Sequence, residues 1–144
     1  MLKDNFITGS IPRNFFDLKS LKNIDFSRNE INGFISIRFG ELVNLESLVL
    51  KKNSIGGYLP AEISNLKKLK VLDMNTNLIT GHIPSGIDQM VHLEYLSLYK
   101  NHLDGWLPED MFSAQSLQII GKFFSIRRNM LQFHHTGILI FWFK

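Results

Sequence analysis

The sequence predicts an α/β-type solenoid of about five to six repeats, built around one parallel β-sheet. An asparagine recurs every 24 residues, at Asn5, Asn29, Asn53, Asn77 and Asn101. Around each asparagine the apolar residues keep one spacing, which reads L-x-x-L-x-M-x-x-N-x-I-x-G-x-I-P from residue 69 onward. A fixed period of this size is typical of a solenoid, in which stacked repeats bury a shared core.

Each complete repeat opens with a predicted strand. In the segment 24–27, apolar and polar residues alternate, as in a strand with one buried face. Ile24 and Phe26 are expected to face the core, while Asp25 and Ser27 face outward. Equivalent strands of neighbouring repeats then pair about 4.8 Å apart in a parallel sheet. The remainder of each repeat forms the crossover connection that parallel strands require.

Residues 1–131 are predicted to form one solenoid domain. It comprises a partial repeat 1–20, the repeats 21–44, 45–68, 69–92 and 93–116, and an irregular repeat 117–131. Because Asn129 follows Asn101 by 28 residues, Leu117–Ile120 is assigned to a longer crossover and Phe124–Asn129 to a final strand. Residues 132–144 are expected to be a non-repeat tail. Neither end shows an intact cap, which indicates a truncated or frame-shifted piece of a longer array.

The turn after each strand carries three recurring residue types. The asparagine carboxamide is expected to satisfy backbone groups that the sheet no longer pairs, forming a ladder through the stack. Glycine follows four residues later, where a Cβ would obstruct the backbone conformation or a close approach. All four prolines then occupy one frame position, at Pro12, Pro60, Pro84 and Pro108, and fix an extended segment.

The full frame, L-x-x-L-x-L-x-x-N-x-L-x-G-x-I-P-x-x-L-G-x-L, resembles the plant-specific leucine-rich repeat. Its most diagnostic part is Ile-Thr-Gly at 7–9 and 79–81, each followed by Ile-Pro. The resemblance covers roughly residues 1–116. It implies a right-handed superhelix with a concave parallel sheet and a second set of short strands. Such repeats form ectodomains of receptor-like kinases and receptor-like proteins, and polygalacturonase-inhibiting proteins.

Composition narrows the function classes. The absence of cysteine removes disulfides, thiolate catalysis and cysteine-based zinc sites. A net charge of +3 without a dense basic run permits an acidic partner but does not indicate nucleic acid binding. We expect no membrane insertion by this chain, since neither a signal peptide nor an apolar run of membrane length is present.

Catalysis, metals and cofactors are not predicted. Phosphate-binding glycine loops, the G-x-S-x-G elbow and H-E-x-x-H are all absent from the sequence. His82, His92 and His102 occupy three different frame positions, so the solenoid would point them to different faces. We therefore expect no enzyme, no metal site and no cofactor.

The resemblance places the ligand-binding residues on the concave face of the sheet, between and just after the inward leucines. They are Asp25, Ser27, Arg28, Val49, Lys51, Lys52, Asp73, Asn75, Thr76, Ser97, Tyr99 and Lys100. Basic residues and a tyrosine on this face favour a ligand with carboxylates. The alternative interpretation is an ordinary solvated face.

A second exposed series contains one residue per repeat, between the glycine and the next apolar position. It consists of Ser10, Phe34, Tyr58, His82 and Trp106. This series either meets a co-receptor or simply stacks along the edge of the solenoid, and simple stacking is the favoured interpretation.

The leading functional hypothesis is a non-catalytic module that recognises a protein or peptide, the ligand-sensing part of a plant receptor-like protein or kinase acting in defence or development. The parent family implies the extracellular face of the plasma membrane, although no N-x-[ST] glycosylation sequon is present. Two alternatives stay open: a secreted enzyme inhibitor like the polygalacturonase-inhibiting proteins, and an inert truncated gene product.

Overall fold

The computed structural model describes residues 2–104, 108–113, 118–121 and 139–141. Its strands, in chain order, are β1 (Thr8–Gly9), β2 (Asn23–Asp25), β3 (Glu30–Ile31), β4 (Ser47–Val49), β5 (Gly56–Tyr58), β6 (Val71–Asp73), β7 (Leu78–Gly81), β8 (Tyr95–Ser97), β9 (His102–Leu103), β10 (Gln118–Gly121) and β11 (Leu139–Phe141). Each complete repeat therefore contributes one short strand before its asparagine and a second one after it.

The strands that precede the asparagines form the main sheet. Its order is β2-β4-β6-β8-β10-β11, and the pairs are parallel. The register follows the sequence frame, because Leu48 pairs with Ile24 on one side and with Leu72 on the other. Leu48, Leu72 and Leu96 are completely buried. The prediction that these leucines share one interior is confirmed.

The strands that follow the asparagines form two small parallel sheets. One pairs β1 with β3, and the other has the order β5-β7-β9. A bridge between Phe34 and Gly56 continues the pairing from the second repeat to the third. The second set of short strands that the resemblance implied is therefore present.

The crossovers contain short 3₁₀ helices, at Arg13–Asp17, Ile37–Glu41, Ala61–Asn65, Ile87–Gln89 and Glu109–Ser113. No described residue lies in an α-helix, so the helical part of the predicted α/β-type class is 3₁₀ instead. Segments of three to five residues are too short for a stable α-helix, whereas the tighter i→i+3 pattern forms a bond within one turn. In Ala61–Asn65, Pro60 supplies the N-cap carbonyl that accepts from the Ile63 N–H at 3.1 Å.

The assignment of residues 117–120 to a crossover is wrong at residues 118–120, which belong to β10. Gln118 and Ile119 pair with Tyr95 and Leu96 of β8, in the position that the next repeat's strand would occupy. Strand β11, which lies within the predicted 132–144 tail, pairs with β10. Parallel pairing uses backbone groups, so it does not require the leucine frame by which the sequence is read. The predicted final strand at 124–129 lies outside the described residues.

The core is a single apolar column between the main sheet and the crossovers. The third repeat illustrates how the crossover contributes, since Ile55, Leu59, Ile63 and Leu66 are all at most 3% exposed. Phe16 and Phe39 from successive crossovers meet edge to face, with ring centroids 5.0 Å apart. Each fully buried side chain of this size contributes about 1.5–3 kcal/mol relative to exposure.

The predicted asparagine ladder joins each repeat to the one before it. The Asn53 Nδ2 donates to the Leu50 carbonyl in its own repeat and to the Phe26 carbonyl in the preceding repeat, both at 2.9 Å. Its Oδ1 accepts from the Ile31 N–H, also in the preceding repeat, at 3.0 Å. The same pattern recurs at Asn29, Asn77 and Asn101.

Replacing a ladder asparagine should strongly destabilise the fold. We expect Asn77→Ala to lower the free energy of unfolding by about 2 kcal/mol, because it leaves the buried Ile55 N–H without its partner and removes one of the two carboxamide donors to the Leu50 carbonyl, the other being Asn53. Asn5→Ala is the matched control, since the Asn5 carboxamide is exposed and bonds only the carbonyls of Leu2 and Lys3. Urea denaturation measures both variants, and equal losses would contradict the proposed inter-repeat role.

Gly40 allows two crossovers to approach closely. A Cβ at this position would lie 2.3 Å from the Glu62 carbonyl oxygen, a backbone atom that cannot swing away. We expect Gly40→Ala to lower the free energy of unfolding by about 2–3 kcal/mol. At Gly56 the equivalent Cβ has only an ordinary 3.5 Å contact with the Leu78 carbonyl, so Gly56→Ala should be neutral or stabilising by about 0.5 kcal/mol. Thermal unfolding of both variants tests the contrast.

Candidate ligand-binding surface

The structure brings the twelve predicted ligand-binding residues together on one side of the main sheet. Successive repeats align them in three columns, which run across the strands. The first column is Asp25, Val49, Asp73 and Ser97; the second is Ser27, Lys51, Asn75 and Tyr99; the third is Arg28, Lys52, Thr76 and Lys100. We call these twelve residues the main-sheet face.

Three of the residues predicted to be exposed on this face are buried. Ser27, Asp73 and Ser97 are only 3–4% exposed. All three have short side chains, and the Ser27 hydroxyl bonds the Asp25 Oδ1 of its own repeat. The Lys51 Nζ, from the preceding repeat, lies 3.3 Å from the Asp73 Oδ2. A ligand on this face would therefore meet mainly the longer side chains of the second and third columns.

The two aspartates of the first column are held by donors from the same face. The Asp25 Oδ1 accepts from the Ser27 backbone N–H at 3.0 Å and from its hydroxyl at 2.6 Å. Burial acts to raise the pKa of Asp25, but the Ser27 hydrogen bonds together with Lys3 and Lys51 lower it overall. Asp73 accepts from the Asn75 Nδ2 at 2.6 Å. These carboxylates are thus already satisfied within the protein.

The third column has an unusual backbone conformation that the sequence did not reveal. Arg28, Lys52, Thr76 and Lys100 have φ values between 53° and 56°. This left-handed region is normally occupied by glycine or asparagine and is costly for other residues. Because none of these four is of the usual type, composition carried no signal for it. The conformation directs the chain from the strand into the asparagine turn.

The cations of the face differ in whether they have a partner. The Arg28 Nη1 lies 3.2 Å from the Asp4 Oδ1, and Lys51 pairs with Asp73. Over the described residues Lys52 forms no ion pair. The Lys100 ammonium lies 5.2 Å from the Tyr99 ring centroid, within cation–π range. Arg28, Lys52 and Lys100 are all exposed, so Lys52 and Lys100 differ from Arg28 in offering a positive charge that no described carboxylate pairs with.

Charged residues at the entry to the strands also line this side, and sequence analysis missed them. The Glu46 carboxylate lies between two lysines of adjacent repeats, 3.6 Å from the Lys22 Nζ and 3.4 Å from the Lys70 Nζ. Hydrogen bonding to Lys70, followed by its charge and that of Lys22, lowers the pKa of Glu46. Alignment of the repeats by their 24-residue period would have revealed this row in the sequence, as Lys22, Glu46, Lys70 and Glu94.

The second exposed series lies along the small sheets. The Phe34 ring covers Gly57, where a Cβ would come within 2.7 Å of it, and the Tyr58 ring covers Gly81 in the same way. Each ring thus packs over the glycine of the next repeat, and Phe34 is 82% exposed and Tyr58 71% exposed. Ser10 and His82 are exposed as well, while Trp106 lies outside the described residues.

Other kinds of site are not found in the described part of the chain. An apolar cavity of about 240 Å³, lined by Ile11, Phe15 and Phe26 among others, lies at the first repeat's end of the core. No three residues of metal-binding type cluster among the described positions. None of the described helices has the length and apolar character needed to cross a bilayer.

Comparison with known proteins agrees with the repeat frame. The family model for the leucine-rich repeat matches residues 1–55 and 43–103. No curated protein matches the chain by sequence.

Solved plant structures are similar to this chain. The plant peptide hormone receptor RGFR1 in complex with RGF2 aligns with a TM-score of 0.79 at 30% identity over 83% of this chain and 20% of the receptor chain. The Arabidopsis receptor kinase HAESA, in complex with the peptide hormone IDA and the co-receptor SERK1, aligns at 0.78 with 25% identity over 85% of this chain and 21% of its own. The BIR3–SERK2 complex from Arabidopsis thaliana aligns with a TM-score of 0.75 at 28% identity. The alignment covers 90% of this chain and 69% of the matched chain.

This chain therefore spans about a fifth of the length of the RGFR1 and HAESA chains.

The left-handed column leads to a stability prediction at Thr76. A β-branched residue is poorly suited to φ near +56°, whereas asparagine tolerates that region. We expect Thr76→Asn to raise the free energy of unfolding by about 1 kcal/mol. Thr80→Asn, the same substitution within strand β7, should be neutral or destabilising by up to about 1 kcal/mol. Chemical denaturation of the two variants decides; a loss at Thr76 would contradict the strain interpretation.

Proposed function

Since the chain belongs to the leucine-rich repeat family, we propose that its main-sheet face recognises a protein or peptide ligand without catalysis. In this proposal the chain is the ligand-sensing part of a plant receptor-like protein or receptor-like kinase. Its place would be the extracellular side of the plasma membrane, and transmission of the signal would depend on regions other than this face.

One observation carries the proposal: the inward residues of the strands are all apolar, while the outward residues vary in charge, polarity and size. Pairs such as Leu48 and Leu72 are identical and fully buried. Across the same strands the second column changes from serine to lysine to asparagine to tyrosine. Packing alone explains the apolar positions, but it places no such demand on the outward ones. A rigid frame carrying diverse side chains suits recognition of a specific partner.

The similar structures support a peptide as the ligand and a co-receptor as a further partner. RGFR1 is described with RGF2, and HAESA with the peptide hormone IDA and the co-receptor SERK1. In this chain the main-sheet face would take the peptide. The exposed series around Phe34 and Tyr58, 82% and 71% exposed on the neighbouring face, would be available to the co-receptor.

Selection from a random peptide library displayed on phage tests the proposal. Peptides selected on the wild-type chain should lose affinity for the double variant Lys52→Glu/Lys100→Glu by about tenfold or more, equivalent to about 1.4 kcal/mol. The reason is that glutamates at positions 52 and 100 would repel the acidic groups of a peptide that the two lysines attract.

A double variant on the crossover side provides the control. Lys67 and Lys68 are exposed there and bond only to Gln89 and Asn44. Lys67→Glu/Lys68→Glu changes the net charge equally and should leave the selected peptides bound. Equal losses with the two double variants would indicate non-specific charge attraction, and no loss with either would remove the main-sheet face as the binding site.

A further inference from the structure

The acidic groups of the main-sheet face cannot attract a cationic ligand strongly, because the protein itself occupies them. Asp25 is bonded by Ser27, and Asp73 by Asn75 and Lys51. Arg28 is likewise paired, with Asp4 at 3.2 Å. Over the described residues, the cations of the face that are exposed and have no carboxylate partner are therefore Lys52 and Lys100.

The backbones of these two lysines are held at a defined separation. Both lie in the third column, whose backbone continues the parallel ladder: Lys52 donates its N–H to the Asn75 carbonyl, and Thr76 donates to that of Tyr99. Two repeat steps separate Lys52 from Lys100, so their backbones are about 9.6 Å apart at the usual strand spacing. Their shared left-handed conformation, with φ of 55° and 53°, starts the two side chains in equivalent directions.

This separation matches one regular peptide conformation. A polyproline II helix has three residues per turn and rises about 3.1 Å per residue, so side chains at i and i+3 lie on one face about 9.3 Å apart. An extended strand does not do this, because its side chains alternate and i and i+3 face opposite ways. Resting on the proposed function, we propose that the main-sheet face binds a proline-rich segment in which two carboxylates stand three residues apart, one on Lys52 and one on Lys100.

The residues between the two lysines suit the middle of such a segment. Thr76 lies between them in the column and has a short, half-buried side chain, which leaves room above it. Tyr99, beside Lys100, is also half-buried, and its ring is held by the 5.2 Å contact with the ammonium group. Aromatic surfaces are the usual partners of proline rings in polyproline II recognition. The prolines would therefore pack over Thr76 and against Tyr99.

Two peptides of identical composition test the spacing. They are acetyl-Gly-Glu-Pro-Pro-Glu-Gly-amide, with glutamates at i and i+3, and acetyl-Gly-Glu-Glu-Pro-Pro-Gly-amide, with adjacent glutamates. Titration of the full chain, followed by NMR or fluorescence, should show the first peptide binding about three- to fivefold more tightly, the effect of one additional exposed ion pair. The preference should shrink as salt is raised, because exposed charges are screened.

Single neutral variants identify the residues responsible. Lys52→Gln or Lys100→Gln should each abolish the preference for the spaced peptide, since either leaves one carboxylate unpaired. Lys68→Gln, which removes an exposed lysine on the crossover side, should retain the full preference. Because all three side chains are exposed, circular dichroism should show the fold unchanged.

The outcomes separate this inference from the proposed function. If library-selected peptides bind the main-sheet face but the two glutamate peptides bind equally, or neither binds, the polyproline II inference is wrong and the recognition role stands. If the library also yields no peptide whose affinity falls in the Lys52→Glu/Lys100→Glu variant, the recognition role fails as well. A spacing preference that survives in Lys52→Gln would likewise overturn the inference.

Discussion

The interaction on which the rest of this structure depends is the hydrogen bonding of one carboxamide between two repeats. Each ladder asparagine donates to carbonyls of its own turn and of the preceding turn, and accepts an N–H from the preceding turn. These groups lie where the chain has left the main sheet, and the pairing of the small sheets does not satisfy them. The carboxamide carries two N–H donors and, on a separate atom, an acceptor oxygen, whereas a hydroxyl has only one donor. A different spacing between strand and asparagine would misplace the carboxamide, and this explains why that spacing is constant in the described repeats.

The same turn creates the surface that we associate with recognition. The residue before each asparagine adopts the left-handed conformation. Four of these residues form the third column, which contains Lys52 and Lys100. Strain at these positions is tolerated because the backbone hydrogen bonds on either side over-determine the turn. The interior therefore sets where the exposed cations stand, while their identity is free to differ between repeats. Stability and specificity are thereby assigned to adjacent residues with separate physical roles.

Much of the fold could be predicted because its signals are local and repeated. The chemistry of each side chain predicts the burial of Leu48 and Leu72, the asparagine ladder and the glycine positions. The constant period makes each prediction stronger, because the same residue type recurs at the same position in every repeat. The twelve residues expected on one side of the main sheet do lie there together, but their individual exposure could not be predicted. Ser27, Asp73 and Ser97 are buried, and alternation within a strand contains no information about contacts with another repeat, such as that of Lys51 with Asp73.

The sequence by itself determined the period, the inward residues and the residues available to the outer face, since a residue's polarity and spacing are properties of the chain alone. Only the tertiary structure decided which of those outer residues remain accessible and which charges are already paired. It also decided that residues 118–121 and 139–141 join the main sheet. The ion pairs of the face, such as Lys51 with Asp73, and the strand pairs join residues about one repeat apart. These contacts form only when the repeats are stacked.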